Sequence, residues 1–286
     1  MKTKSYEGFM KGIFILSALM SIVSIILICF FIFAGGVPFI AEYGLKEFLL
    51  GTQWKPSNKP PSYGILPMIL GSVYVTMGAM VLGVPIGILT ATYLAKFCNG
   101  KLYKVLKPCV NLMSGIPSIV YGFFALTLIV PIMKEIFGGN GMSIATSSVL
   151  LGIMILPTII GMSEASIRAV PQSYYEGSVA LGATHERTIM SVILPAARSG
   201  ILSSVILGVG RAIGETMAVI LVAGNQPRMP KGLFKGVRTM TTNIVMEMAY
   251  AADVHREALI ATAVVLFVFI LIINGIFLIV KRRGAN

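Results

Sequence analysis

Glu176–Pro195 reads EGSVALGATHERTIMSVILP. It is a charged stretch set between long apolar segments. A loop that only joins two membrane spans needs to be short and polar, nothing more. This one has the pattern of a pair of short helices, punctuated by Gly182, Ala183 and Pro195, and so predicts a surface offered to a soluble partner. That separates a transporter subunit driven by another protein from a channel, a receptor or a membrane enzyme.

The flanking chain belongs in lipid. Of 286 residues, 56% are hydrophobic and 12% charged, whereas a soluble domain carries roughly 25% charged residues. Six apolar segments stand out, at 13–36, 66–95, 108–133, 143–165, 199–224 and 257–280. Each is long enough to cross a hydrocarbon core of about 30 Å at about 1.5 Å per residue. Period-2 alternation is absent, so helices are the way for these segments to satisfy their backbone in lipid. The expected fold is an all-α membrane protein, with six transmembrane helices in one permease domain over 1–286. Gly71, Gly78, Gly83 and Gly87 allow close helix packing in the second span, and Pro67, Pro85, Pro117 and Pro157 interrupt the second, third and fourth.

The net charge of +12 does not point to nucleic acid, because the basic residues cluster at the ends of apolar runs. With the N-terminus inside, the inner side carries Lys2, Lys4, Lys11, Lys96, Lys101, Lys104, Lys107, Arg168, Arg187, Arg198, Lys281, Arg282 and Arg283. The outer side carries Lys46, Lys55, Lys59, Lys134, Arg228, Lys231, Lys235, Arg238 and Arg256. Thirteen against nine places both termini, and the coupling region 166–198, in the cytoplasm. The outer loop 35–64, with Trp54, Pro56, Pro60 and Pro61, is too polar to span and is expected to pack on the outer surface. In the outer loop 225–256, Arg228, Lys231, Lys235 and Arg238 have no acid among them. They read either as headgroup contacts or as a receiver for an anion or an acidic partner.

Gly210–Thr216, GRAIGET, puts Arg211 and Glu215 inside the fifth span, where a charge costs at least ~2.5 kcal/mol. Spaced i, i+4, they share a helix face. Either they neutralise each other and lock packing, or Arg211 faces a path and attracts an oxyanion with its planar guanidinium while Glu215 orients it. Ser114 reads as a cap for a helix that Pro117 enters in its first turn, beside Ser118. The candidate path residues are thus Arg211, Glu215, Thr216, Ser114 and Ser118. Cys29, Cys98 and Cys109 have no metal or redox spacing, so no metal site is expected. His185 reads as a surface histidine or a group titrating near neutral pH. No G-x-x-x-x-G-K-[ST] loop occurs, and Gly100-Lys101 runs into Leu102, so the chain holds no ATP in a P-loop. Active transport would draw on a separate ATPase.

Glu176-Gly177-Ser178, Gly182 and Val192-Ile193-Leu194-Pro195 resemble the EAA motif of bacterial ABC importer permeases, with Gly177 and Ser178 in place of two alanines and Val192 in place of isoleucine. Tyr63–Pro67, Gly115–Gly122 and Gly210–Val219 resemble the phosphate-specific transport permeases, and Glu215–Val219 followed by Gly224-Asn225 looks like the PstC-type subunit. The resemblance covers the chain from about Trp54 onward. It implies a type I ABC importer permease in a bacterial cytoplasmic membrane, a non-enzyme that pairs with a second, PstA-type permease. Two copies of a PstB-type ATPase would use ATP and Mg, and an extracytoplasmic binding protein would deliver inorganic phosphate. Glu176, Gly177, Ser178, Gly182, Ala183, Leu194 and Pro195 would then form the coupling helix of an alternating-access mechanism. Two other readings stay open: a permease for molybdate, tungstate or sulfate, and a scaffold that senses phosphate status.

Overall fold

The computed structural model describes the backbone of residues 2–283 and the side chains of 7–279. The side chains of Lys2, Lys4, Lys281, Arg282 and Arg283, counted above for orientation, lie outside the described residues. Among the described residues, six helices are long and apolar enough to cross a membrane: Glu7–Tyr43, Leu66–Phe97, Ser118–Phe137, Ile144–Arg168, His185–Gly214 and Asp253–Ile279. The helices are α1 Lys2–Tyr43, α2 Leu45–Leu50, α3 Leu66–Thr92, α4 Gly100–Gly115, α5 Ser118–Phe124, α6 Val130–Phe137, α7 Ile144–Arg168, α8 Gln172–Ala180, α9 His185–Thr188, α10 Leu194–Gly214, α11 Met217–Val222, α12 Met240–Met248 and α13 Asp253–Arg283. Single π-helical turns continue α3 to Phe97, join α5 to α6 and join α9 to α10.

Two expected spans are divided. The segment 108–133 is not one helix: α4 ends at Gly115, and Ile116 and Pro117 are extended before α5 starts. Pro117 lacks an N–H and biases its predecessor away from the helical region, so the break falls there. The segment 199–224 is likewise cut. α10 ends at Gly214, Glu215 is extended, and α11 begins at Met217.

The centre is α7, flanked by α3 on one side and α10 on the other, with α1 packed on α13 at the periphery. Glycine makes the α3–α7 contact. A Cβ on Gly83 would lie 2.8 Å from Ile155 Cδ1 and 2.9 Å from the carbonyl of Gly152, and one on Gly87 would lie 2.7 Å from Ile159 Cγ2. Gly78 faces Ser148 in the same way, and the Ser148 hydroxyl donates to the carbonyl of Val75. In lipid, helices gain little from apolar burial as such, so close backbone approach and interhelical hydrogen bonds carry the packing. α10 repeats the device against α7: Gly208 meets Ile159, Gly200 meets Ser166, and the hydroxyls of Ser163 and Ser204 are 2.7 Å apart.

Successive spans alternate in direction, so residues 44–65, 138–143 and 223–252 share one end of the bundle. There the loop 35–64 packs against α12 and α13. α1 runs on to Tyr43, and a hairpin of β1 Trp54–Lys55 and β2 Ser62–Tyr63 follows. Phe39, Phe48, Trp54 and Tyr63 are buried in one aromatic cluster. Beneath it, Glu247 accepts from Trp54 Nε1 and pairs with His255, both at 2.8 Å, and it also pairs with Arg238. Arg238, 9% exposed, further donates to Asn243 Oδ1 at 3.0 Å and to the carbonyl of Asn225 at 3.1 Å. It is therefore a structural cation, and both readings offered for the four basic residues of this loop, headgroup contact or anion receiver, are corrected for Arg238. Lys231 and Lys235 are exposed, and Arg228 reaches only Gln226.

Candidate functional site

The break at Gly214–Thr216 organises the membrane-embedded site. Glu215 turns back onto the helix that follows it, and its Oε1 accepts from the amide of Ala218 at 3.2 Å. Thr241 Oγ1 donates to the Glu215 carbonyl at 3.2 Å, and Thr216 Oγ1 to that of Gly214 at 3.3 Å. The carboxylate thus serves orphan N–H groups at the start of α11, as a capping side chain does. Of the two readings of Arg211 and Glu215, the mutual pair is absent from the ion pairs among the described residues. The i, i+4 argument fails because Glu215 has already left the helix.

Arg211 is half-buried and faces α7 instead, where Nη1 donates to Thr158 Oγ1 at 3.4 Å. A guanidinium carries five N–H donors. No carboxylate pairs with Arg211 among the described residues, so donors are left over for another acceptor.

Ser118 lies one helical turn ahead of Gly122, and at Gly122 α5 crosses α11 so closely that a Cβ would sit 2.8 Å from the Cα of Ala218. Glu215 and Thr216 thus form the break, Arg211 lies one turn before it on α10, and Ser118 lies one turn before the α5–α11 crossing. Ser114 closes the last turn of α4, with its hydroxyl donating to the carbonyl of Asn111 at 2.6 Å, and Pro117 is the residue before α5, not a member of its first turn. The capping role expected of Ser114 is thus corrected. Tyr121 ties the elbow together by donating to the carbonyl of Met113 at 2.8 Å. The angle between α4 and α5 holds a groove of about 760 Å³ lined by Asn111, Leu112, Ile116 and Val120. Thr158 and Tyr121 were not legible in advance; Pro157, expected to interrupt the fourth span, lies within an unbroken α7 beside Thr158.

At the opposite end from the hairpin, the stretch Glu176–Pro195 forms the expected pair of short helices. α8 has no buried residue. Gly182 turns the chain at φ +85° with open space around it, a conformation that favours glycine. Amides of Leu181, Gly182 and Ala183 close the end of α8 on the carbonyls of Gly177, Val179 and Ser178. Leu181, 91% exposed, forms the tip. Glu176 and Gly177 are exposed on α8, and Leu194 and Pro195 open α10. The second helix is fastened to the first by Ser178 to Thr188 at 2.9 Å and by Tyr175 Oη to His185 Nδ1 at 2.9 Å. His185 Nε2 is 3.2 Å from the carbonyl of Lys96, and its ring stands edge-on to Phe97. It is a pinned, half-buried residue, not a free surface histidine.

A second anchor lies nearby. Glu164, 2% exposed, accepts from Tyr103 Oη at 2.8 Å, Lys107 Nζ at 2.7 Å and Arg168 Nε at 2.8 Å. Arg168 also donates to the carbonyl of Leu94 at 2.8 Å and stacks over the Tyr103 ring. The bond to the Glu164 carboxylate, then burial, raises the pKa of the Tyr103 hydroxyl above its ordinary value.

Residues 83–285 match the family model described as binding-protein-dependent transport system inner membrane component. The chain is 37% identical over 266 residues to a probable ABC transporter permease protein, YqgH, of Bacillus subtilis, covering 90% of this chain and 86% of that one. It is 32% identical to the phosphate transport system permease protein PstC of Mesorhizobium japonicum, covering 86% and 80%. Among solved structures, a bacterial alginate ABC transporter in complex with its alginate-bound periplasmic protein superposes with a TM-score of 0.63 at 18% identity, covering 93% and 94%.

Proposed function

The chain belongs to the family of binding-protein-dependent transport system inner membrane components and is a permease subunit of an ABC importer, and on that premise we propose that its cargo is inorganic phosphate. The observation that carries the reading is Arg211, a half-buried cation with no carboxylate partner among the described residues, held toward α7 by Thr158 beside a broken helix. Phosphate bears between one and two negative charges near neutral pH and presents oxygens that a guanidinium meets bidentately. A single such cation in this subunit, completed by a second, PstA-type permease, favours entry while leaving binding weak enough for release. The PstC relative supports the choice of phosphate over molybdate, tungstate or sulfate.

Members of this family work with an ATPase and a substrate-binding protein. In this reading the ATPase is a pair of PstB-type subunits that use ATP and Mg, and an extracytoplasmic protein delivers phosphate to the end that carries the hairpin. The lysine and arginine bias puts the α8–α9 knob and both termini in the cytoplasm of a bacterial cell. The knob, with Glu176, Gly177, Ser178, Gly182 and Ala183, enters an ATPase groove, and Leu194 and Pro195 pass its motion into α10.

The test is uptake of radiolabelled phosphate by the whole complex in proteoliposomes, with ATP on the side of the ATPases and the binding protein opposite. ATP-dependent uptake blocked by arsenate, and not by sulfate, molybdate or tungstate, is the expected result. Uptake of one of those anions in place of phosphate overturns the cargo. Co-purification without any transport favours the sensing scaffold.

A further inference from the structure

α4 starts just after the second span ends and stops just before the third begins. Both of its ends therefore lie at one end of the bundle. Extended residues on each side, Cys98-Asn99 and Ile116-Pro117, disconnect it from the spans. Its sixteen residues reach about 24 Å at about 1.5 Å per residue. A helix of that length with both ends at one boundary runs along the boundary and not across it.

Its circumference divides into three faces. Tyr103 and Lys107 turn inward to Glu164, which fixes the rotation of the helix. Leu102, Val105 and Cys109, spaced i, i+3 and i+7, form an exposed apolar stripe. Lys101 and Lys104 are exposed on the remaining face, and no carboxylate pairs with either among the described residues.

We propose that α4 is an interfacial helix that seats anionic phospholipid, with Leu102, Val105 and Cys109 at the acyl boundary and Lys101 and Lys104 on the headgroup phosphates. An apolar stripe alone fits a protein or a membrane equally. A stripe bordered by two unpaired lysines, on a helix lying along the boundary, matches a surface that is apolar within and anionic at its rim. The inward lysine is already neutralised by Glu164, so the two outward ones are the charges left for lipid.

Cys109 supplies the probe. In the assembled transporter, with Cys29 and Cys98 replaced by serine, Cys109 carries a nitrobenzoxadiazole label in nanodiscs of phosphatidylcholine and phosphatidylglycerol. Brominated phosphatidylglycerol should quench the label more strongly than brominated phosphatidylcholine, and aqueous iodide only weakly. Lys101→Gln and Lys104→Gln should each lower the headgroup preference, by up to about fivefold per charge. Both are exposed, uncharged replacements, and unchanged ATPase stimulation checks that the complex is intact. Strong iodide quenching with no lipid quenching overturns the proposal. So does protection from both quenchers, which marks the stripe as covered by the second permease. Equal quenching by the two lipids, unaffected by the lysine variants, removes the headgroup assignment and overturns it too.

Discussion

Arg211 donates to the hydroxyl of Thr158 across 3.4 Å, so a residue of α7 holds the one cation of α10 that lies deep in the bundle. Arg211→Ala should abolish phosphate uptake while the subunits still co-purify. Thr158→Val keeps the shape and removes the acceptor. It should leave assembly intact and lower uptake by about 10-fold, the lower end of the range of roughly 1.5–3 kcal/mol for a hydrogen bond to a charged group. Wild-type uptake by Arg211→Ala would refute the path assignment; wild-type uptake by Thr158→Val would mean that the hydroxyl does not position the guanidinium.

Gly182 turns the knob at φ +85°, and nothing lies within 4 Å of where its Cβ would be. The constraint is therefore conformational and not steric. Gly182→Val should strain the turn by roughly 1–2 kcal/mol and uncouple ATP hydrolysis from uptake, whereas Gly182→Asn, which tolerates the left-handed region, should stay largely coupled. The ratio of ATP hydrolysed to phosphate imported reads this directly.

Gly83 and Gly161 both lie in spans, yet they predict opposite outcomes. A side chain at Gly83 meets Ile155 and the backbone of Gly152, while Gly161 has open space around it. Gly83→Val should lower the thermal midpoint of the solubilised complex, as overpacking costs typically 1–3 kcal/mol. Gly161→Ala should leave it unchanged or raise it, since alanine gains up to about 1 kcal/mol in a helix.

Glu247→Ala strands Arg238, a cation that is 9% exposed. Breaking a buried pair by removing one partner costs about 3–5 kcal/mol. Trp54, the one tryptophan of the chain, donates to the same carboxylate, so its emission should shift to the red as the hairpin loosens. An unshifted spectrum would show that the aromatic cluster holds the hairpin without Glu247.

Tyr103 gives a pH dependence. Its folded pKa is raised above the ordinary tyrosine value of about 10 by the bond to Glu164. The unfolded chain therefore loses this proton first, and the contribution is whole below about pH 10 and is lost as pH rises through the folded value. Thermal midpoints should fall more steeply above that pH in the wild type than in Tyr103→Phe.

What could be read from residues alone was what is local. Six apolar runs and the Glu176, Gly182, Leu194 and Pro195 spacing are properties of short windows, and the spans and the knob follow from them. The breaks were harder. The run 108–133 merges the second half of α4, residues 108–115, with α5, so the end of a surface helix passed for the first turns of a span. Glu215 looked like a helical partner of Arg211 because the spacing assumes an unbroken helix, and the break depends on contacts with Thr241 and Ala218. Arg238 looked free because its carboxylate lies on α12 and the tryptophan that shares it is 193 residues from Glu247.

From His185 to Gly214 the chain is one helical piece of 30 residues, interrupted by no extended residue. At about 1.5 Å per residue it is a rod of roughly 45 Å. Its foot is the second helix of the knob, and Arg211 rides one turn from its head. A π-helical turn at Ile189–Ile193, followed by Pro195, is where such a rod bends, and above it α10 runs on unbroken to Gly214. A displacement forced on Leu194 is therefore carried up α10 toward the guanidinium, loading the bonds from Ser204 to Ser163 and from Arg211 to Thr158 on the way.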